Sequence, residues 1–311
     1  MKISIIGAGN VGGLTAMRLA EAGLADIVLV DVAKGLAQGK AFDLEDAGSI
    51  LKYNYRIRGT DDIEAIKDSN IIIVTAGLTR KPGMTREDLL NKNAQILKGV
   101  CLEIKNISGQ SIVIVVTNPL DLMTYLALKI TGFKSNKVFG MGVSLDSARF
   151  ANHISKELNI PNSDIEACVI GSHGEEMLPL PRFTTVKGIE LTEMLEDEKI
   201  KVLIKRTLER GQEIVSLLGS GSAYFAPSQA IAAIVKTIVK DEKRMIGVSV
   251  YLNGEYGIND ICIGVPCRIG KLGVEKIIEF NLNKEERPLF LKSAESIRKN
   301  LDLIKPFCHG L

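Results

Sequence analysis

Short apolar runs alternate with helical patterns through the first half of the chain. The runs at 2–6, 26–30, 70–75 and 111–116 are almost continuously apolar, as is typical of parallel strands that are covered on both faces. Further short strands are indicated at 53–58 and 138–140, and helical patterns lead up to Ala22 and cover 39–50 and 86–107. Strands that alternate with helices in this way predict a doubly wound parallel sheet of the α/β class.

The pattern changes after residue 142. Helices are predicted at 145–158, 191–218, 227–239 and 284–303, and a strand at 165–170. Residues 244–252 and 261–269 alternate between apolar and polar side chains, which is typical of antiparallel strands. We therefore expect two domains without a long linker, a doubly wound domain at 1–142 and an α+β domain at 143–311.

A glycine-rich segment joins the first predicted strand to the first helix. It reads Gly7-Ala-Gly9-Asn-Val-Gly12, and the motif has weight here because it lies between a strand and a helix. Gly7 permits a tight turn, Gly9 lets a pyrophosphate approach the backbone, and Gly12 lets the helix pack closely on the strand. The free N–H groups of the helix N-terminus would then bind the diphosphate of a dinucleotide.

Two polar residues follow predicted strands at their carboxyl ends. Asp31 comes about 20 residues after Gly12, where a carboxylate accepts hydrogen bonds from a ribose diol and repels a 2′-phosphate. Asp31 therefore favours NAD over NADP, although a helix cap or loop residue is the alternative. Asn118 precedes a proline at the edge where open α/β sheets bind ligands, and Asn-Pro is also an ordinary start of a turn.

Two arginines flank a turn in the segment that follows the strand at 70–75. Arg80 and Arg86 lie on either side of Pro82-Gly83, and Thr85 with Asp88 can form a capping box at the start of the helix. Such a hinged loop can carry cations over an anionic small molecule and close the site. Taken alone, the segment is more often a solvated basic loop.

His173 is the histidine best placed to titrate near neutral pH. It lies between small residues after a predicted strand, whereas His153 lies within a helix and His309 close to the C-terminus. Asp146 and Arg149 are three residues apart and share one face of a helix, so Asp146 is a candidate partner for His173. A structural histidine and a surface ion pair are the alternatives.

Charge and cysteine content exclude several classes of function. The 311 residues are 46 % apolar, which allows a sizeable core, and the net charge of +2 gives no electrostatic case for nucleic acid or an anionic membrane. No apolar run approaches the roughly 18 residues of a membrane span, and the first residues lead into a strand without signal-peptide features. Five cysteines without metal-binding spacing read as reduced thiols. We expect a cytoplasmic protein.

Six motifs in order along the chain carry a family resemblance. They are GAGNVGG at 7–13, Asp31, RKPGMTR at 80–86, TNPLD at 117–121, LDSAR at 145–149 and GSHGEE at 171–176, and together they resemble the lactate/malate dehydrogenase family over essentially the whole chain. The resemblance implies an N-terminal Rossmann domain, a C-terminal α+β catalytic domain and NAD as cofactor. The implied cofactor contacts are Gly7, Gly9, Asn10, Val11, Gly12, Asp31, Thr75, Ala76, Gly77, Asn93, Thr117 and Asn118.

The resemblance also implies a role for each residue of the catalytic set. His173 would be the acid/base and Asp146 would orient it and raise its pKa. Arg149 would bind the C1 carboxylate of the substrate as a bidentate pair, and Arg86 would stabilise charge on the carbonyl oxygen. Asn118 would hydrogen-bond the substrate near the same oxygen. No metal is expected, because the arginines and His173 supply the electrophilic assistance.

Arg80 decides the expected substrate. The lactate branch of the family usually has glutamine at this position, whereas an arginine suits a C4 carboxylate. Ala223 also favours the malate branch, because the lactate branch usually has threonine at that position. We therefore expect reversible hydride transfer between (S)-malate or oxaloacetate and NAD. The alternatives are a lactate or other 2-hydroxyacid dehydrogenase, a non-catalytic NAD-sensing domain, and an NAD-dependent glycosidase. The family implies a homo-oligomer, a tetramer or alternatively a dimer.

Overall fold

Six parallel strands form the first part of the main sheet. The computed structural model of the chain describes residues 1–79 and 84–308. Strands β1 to β6 comprise Lys2–Ile6, Asp26–Val30, Ile57–Thr60, Ile71–Val74, Ile112–Val115 and Val138–Gly140. They pair in the order β3-β2-β1-β4-β5-β6. The order changes direction between β1 and β4, and an open α/β sheet binds its ligand beside the carboxyl ends of the strands at such a point.

Helices cover this part of the sheet and explain its uninterrupted apolar strands. Helices α1 to α5 comprise Asn10–Glu21, Leu36–Ile50, Arg86–Ile107, Leu120–Thr131 and Val143–Leu158. Because side chains of β4 and β5 are buried along the whole of both strands, isoleucine and valine fill nearly every position. The α3 helix begins with the capping box predicted from sequence, in which Thr85 and Asp88 each accept a backbone N–H of the other at 3.0 Å.

The second half of the chain extends the same sheet with antiparallel strands. Strands β7 to β14 comprise Ile165–Glu166, Val169–Gly171, Met177–Pro179, Thr185–Val186, Ile189–Glu190, Arg244–Asn253, Asn259–Gly270 and Gly273–Ile277. From β6 the sheet continues through β12, β13, β8 and β9, with β14 beside β13, while β11, β10 and β7 form a small separate sheet. Helices α6 to α9 comprise Leu191–Met194, Asp197–Leu218, Phe225–Val239 and Glu286–Cys308.

Three predicted elements are wrong in their extent. The strand at 53–58 is instead β3, which starts at Ile57 opposite Ile27, while Tyr53 and Tyr55 pack edge to face with ring centroids 5.8 Å apart. The predicted strand at 165–170 is divided between β7 and β8, which belong to different sheets. The predicted helix at 191–218 breaks at Leu195, whose backbone is extended, and the acidic first turn of α7 favours a new helix start.

The predicted fold class is confirmed: a doubly wound parallel sheet is followed by an α+β region that carries antiparallel strands. In the part of the chain that the structure describes, we find no helix with both the length and the apolar character needed to cross a bilayer. The sheet passes from β6 to β12 without interruption, and residues of both halves line the cleft beside His173.

Candidate active site

The glycine-rich segment between β1 and α1 forms a cradle of backbone atoms. Gly7 has a φ of +106°, and a Cβ atom at Gly12 would overlap the carbonyl oxygen of Gly7. A Cβ at Gly9 would meet no heavy atom within 4 Å, so the space in front of Gly9 is open. Gly9 is also the N-cap of α1, and it has no side chain that could accept the backbone N–H groups of the first turn. The cradle fits the diphosphate of a dinucleotide, because free N–H groups at a helix N-terminus favour an anion.

Asp31 is fixed beside this cradle by two backbone groups. Its Oδ2 accepts the N–H of Ala8 at 2.6 Å and its Oδ1 accepts the N–H of Ala33 at 2.9 Å. A carboxylate has about four acceptor positions, so two remain for a ribose diol. Val32, the next residue, is 97 % exposed, which leaves an apolar surface next to the carboxylate. Asp31 can be both a loop residue and a ribose ligand, because the contacts within the loop orient the same carboxylate that a ribose would meet.

Lys40 in α2 is a neighbour of the cradle that the sequence interpretation missed. Its Nζ donates to the carbonyl oxygen of Gly9 at 3.2 Å and would lie 3.2 Å from a Cβ at Gly13. Within residues 1–79 and 84–308, no carboxylate forms an ion pair with Lys40. A cation beside the positive end of α1 is unfavourable, and an anion in the cradle would offset that repulsion. No motif in the sequence indicates this contact, because it joins two different helices.

The loop after β4 closes the crevice on the other side of Gly7. The hydroxyl of Thr75 donates to the carbonyl oxygen of Gly7 at 2.9 Å, and the hydroxyl of Thr117 donates to the carbonyl oxygen of Ala76 at 2.6 Å. A Cβ at Gly77 would lie 2.7 Å from Cγ2 of Thr117, so this position also requires glycine. These contacts hold the loops after β1, β4 and β5 together at the carboxyl edge of the sheet.

Asn93 is a buried amide that connects two of these loops. Its Oδ1 accepts the N–H of Leu78 at 2.8 Å, and its Nδ2 donates to the carbonyl oxygen of Asn118 at 2.8 Å. The peptide bond between Asn118 and Pro119 is cis. The structure therefore places the predicted residues Asn93 and Asn118 in contact. The side-chain amide of Asn93 binds backbone groups of Leu78 and Asn118 and so holds the two loops in position.

His173 and Asp146 form a close pair at the end of the crevice. Nδ1 of His173 lies 2.7 Å from Oδ2 of Asp146, and Arg149 donates to Oδ1 of the same carboxylate at 3.1 Å. The Asp146 side chain is fully buried, while those of Arg149 and His173 are 13 % and 17 % exposed. The ion pair of Asp146 and Arg149 therefore exists, but it is not a surface pair. One carboxylate orients both an imidazole and a guanidinium.

The electrostatic surroundings favour the charged form of His173. Burial by itself would lower the pKa of His173, but the charge and hydrogen bond of Asp146, followed by the charge of Asp121, raise this pKa above its usual value despite the cation of Arg149. With Nδ1 bound to Asp146, the imidazole has Nε2 free to meet a ligand.

Asp121 in the first turn of α4 is a further residue of the site, which the TNPLD motif at 117–121 does not reveal. Its Oδ2 accepts the backbone N–H of His173 at 2.8 Å, and its Oδ1 accepts the hydroxyl of Ser249 at 2.6 Å. Burial raises the pKa of this carboxyl to about 6, although both hydrogen bonds lower it. The local sequence gives no signal of these contacts, because an acidic residue in the first turn of a helix is common.

A cleft of about 620 Å³ opens next to His173. Its walls come from the loops of Asn118 and His173 and from α3 and α9. Arg80 lies outside the described residues, as does the side chain of Arg86, although α3 begins at that residue. His309 is also outside the described residues, and His153 is buried away from this cleft against Arg210, 3.2 Å away.

Comparison with known proteins agrees with this geometry. The family model for the NAD-binding domain of lactate/malate dehydrogenases matches residues 1–140, and the model for the family's alpha/beta C-terminal domain matches residues 143–308. A malate dehydrogenase of Methanosarcina barkeri is 49 % identical over 98 % of this chain and 99 % of its own length.

The chain belongs to the lactate/malate dehydrogenase family. Among solved members of the family, the malate dehydrogenase of Cryptosporidium parvum has a TM-score of 0.95 at 40 % identity and covers 98 % of this chain and 99 % of its own. A lactate dehydrogenase of the same organism, solved with lactic acid and the dinucleotide, has a TM-score of 0.94 at 35 % identity, with 97 % of both chains covered. The fold is thus shared by both branches, and the substrate depends on side chains in the site.

Proposed function

We propose that this family member is an NAD-dependent malate dehydrogenase that interconverts (S)-malate and oxaloacetate. The observation that carries the proposal is the His173–Asp146 pair, with Nδ1 of His173 2.7 Å from a fully buried carboxylate. A histidine held in this way can donate a proton in one direction and accept it in the other. Curated relatives that cover nearly the whole chain are named malate dehydrogenase, which supports the choice of branch.

The proton chemistry follows from the way in which His173 is held. Bound NADH supplies the hydride that reaches the carbonyl carbon of the substrate. His173 gives a proton from Nε2 to the oxygen of that carbonyl, and Asp146 stabilises the imidazolium before the transfer and fixes its orientation. In malate oxidation the neutral imidazole takes the proton back.

The cations of the site bind and polarise the anionic substrate. Arg149 binds the C1 carboxylate through the part of its guanidinium that Asp146 does not occupy. Arg86 stabilises the charge that develops on the carbonyl oxygen, and Asn118 donates a hydrogen bond near the same atom. Arg80 binds the C4 carboxylate, which pyruvate and lactate lack.

The cofactor is held by the cradle and the loops around it. Gly7, Gly9, Asn10, Val11 and Gly12 bind the diphosphate through backbone groups, since the space in front of Gly9 is open. Asp31 binds the adenosine ribose. The loops after β4 and β5 contact the nicotinamide half through Thr75, Ala76, Gly77, Thr117 and Asn118, together with Asn93 of α3, which connects the two loops.

Two further properties belong to the same proposal. Residues 1–142 form the NAD-binding domain and residues 143–311 the catalytic domain, and the chain assembles as a homotetramer or alternatively a dimer. The protein works in the cytoplasm, which agrees with the five free thiols, because a reducing compartment keeps cysteines in that form.

Steady-state kinetics with two oxoacids test the substrate assignment. We expect kcat/KM for oxaloacetate to exceed that for pyruvate, and Arg80→Gln to lower the oxaloacetate value by about 10² to 10⁴ because two charge-assisted hydrogen bonds of about 1.5–3 kcal/mol each are lost. Pyruvate should lose little in Arg80→Gln, whereas the matched variant Arg149→Gln should harm both substrates alike. Equal losses for both oxoacids in Arg80→Gln would reduce Arg80 to a loop-closing residue, and a preference for pyruvate in the unmodified enzyme would make it a lactate dehydrogenase.

A further inference from the structure

Asp121 is a buried carboxylate that the proposed mechanism does not use. The residue is 5 % exposed and lies in the first turn of α4, between the loop that carries His173 and the middle of β12. Both oxygens have a donor, since His173 supplies its backbone N–H and Ser249 its hydroxyl. A carboxylate with one donor on each oxygen therefore fixes the backbone of the residue whose side chain faces the cleft.

The charge of Asp121 is unfavourable to folding, although its hydrogen bonds are not. Burial raises the pKa of the carboxyl to about 6, which means that ionisation at neutral pH costs stability in the folded chain. An asparagine could accept the same N–H of His173 and donate to the hydroxyl of Ser249 without this cost. The geometry of the two hydrogen bonds alone does not explain why a carboxylate occupies the position.

His173 is the group that benefits from the charge. It lies between two carboxylates, with Asp146 of α5 at Nδ1 and Asp121 of α4 at the backbone nitrogen, and the guanidinium of Arg149 in α5 acts against them. Near Asp121, β13 places the buried thiol of Cys262, and burial raises the pKa of this thiol so that it stays neutral. The hydrogen bond to the backbone of His173 holds the Asp121 charge close to the imidazole, whose pKa it raises.

We propose that Asp121 is a positioning residue for His173: its hydrogen bond fixes the backbone at His173, and its negative charge favours the imidazolium form. This inference rests on the acid/base role proposed for His173 above. The buried charge of Asp121 lowers the stability of the fold. The same charge keeps the proton donor His173 protonated to a higher pH.

The test is the pH profile of Asp121→Asn with Asp260→Asn as the matched control. In Asp121→Asn, we expect the alkaline limb of kcat/KM for oxaloacetate to move down by about one pH unit, a loss of about tenfold on the alkaline side of the limb. The melting temperature at pH 8 should be equal to or higher than that of the unmodified enzyme, because a buried charge is removed.

Asp260→Asn should give the opposite pair of results. Asp260 binds Lys129 at 2.9 Å and the hydroxyls of Tyr125 and Tyr251, so its loss should lower the melting temperature. Its φ of +56° suits asparagine, which keeps the backbone in place. The pH limb should stay where it is, since the hydrogen bonds of this carboxylate go to Lys129, Tyr125 and Tyr251 and not to His173.

A second variant covers the case in which Asp121→Asn does not fold. Ser249→Ala removes one donor that keeps the Asp121 carboxylate ionised, so the limb should move in the same direction by a smaller amount. A limb that stays in place in both variants, or a fall in melting temperature without movement of the limb, would overturn the inference and leave Asp121 a structural residue. Near-normal turnover in His173→Asn would instead overturn the proposed function, and the two failures are therefore distinguishable.

Discussion

The glycine cradle and the His173 cluster lie along the same edge of the sheet, beside β1 and β6 respectively, but are built in contrasting ways. The cradle consists of backbone atoms and space, and its shape depends on the absence of Cβ atoms at Gly7, Gly9 and Gly12. The cluster consists of buried charges, in which Asp146 and Asp121 surround His173 and Arg149 balances them. In the proposed function, the first region would bind the cofactor by shape and backbone donors, and the second would set the protonation state of His173.

Because of this difference, single substitutions in the two regions should change different properties of the enzyme. A methyl group added to the cradle acts through steric overlap, so it should change cofactor affinity or the fold. A carboxylate or imidazole removed from the cluster changes charge with little change in volume, so it should alter turnover and pH dependence while cofactor binding persists.

The largest effect is expected for His173→Asn. The amide is similar in size but cannot donate a proton with the same driving force, so kcat should fall by about 10² or more. The dissociation constant of NADH, measured by fluorescence titration, should stay close to that of the unmodified enzyme because the cradle is untouched. A parallel loss of NADH binding would show that the two regions are not separable.

The cradle should show an intermediate effect that depends on which glycine is changed. In Gly12→Ala the new Cβ overlaps the carbonyl oxygen of Gly7, so we expect a destabilisation of about 1–3 kcal/mol and a loss of NADH affinity. Gly9→Ala is the matched control for stability, because its Cβ meets no protein atom and its φ of −66° suits alanine, so it should lower NADH affinity while the melting temperature stays unchanged. Thermal unfolding and NADH titration of both variants provide the measurement, and an unchanged melting temperature in Gly12→Ala would refute the packing explanation.

The smallest effect concerns the choice between cofactors. The Asp31 carboxylate would meet the 2′-phosphate of NADPH with like charge, so kcat/KM should favour NADH by at least about tenfold, the equivalent of roughly 1.4 kcal/mol. Lys40, next to Gly9, is a cation of the cradle that could reduce this preference, and Lys40→Met separates its contribution. Equal use of both cofactors would contradict the placement of a ribose at Asp31.

The sequence could predict the features that depend on local patterns. The parallel strands, the glycine cradle and the Thr85–Asp88 capping box follow from residues that are neighbours in the chain. Asp121 could not be recognised in this way, because its partners His173 and Ser249 lie 52 and 128 residues away.

The errors in the predicted strands and helices have a similar physical cause. Strands such as β7 and β10 are only two residues long, so no period can be read from them. Their formation depends on tertiary contacts and not on local propensity. The break between α6 and α7 was missed because leucine-rich helical spacing continues across it, while the backbone at Leu195 is extended.

The acid/base role of His173 can be measured through the pH dependence of both reaction directions. Because the pKa of His173 is raised above 6.5, kcat/KM for oxaloacetate reduction should be constant at low pH and fall as the pH rises through that pKa, where the imidazolium is lost. For malate oxidation, kcat/KM should rise through a limb that also lies above pH 6.5, since the neutral imidazole is then the base. Opposite limbs that both vanish in His173→Asn are the predicted result. Limbs that run in the same direction, or that persist in His173→Asn, would contradict the account.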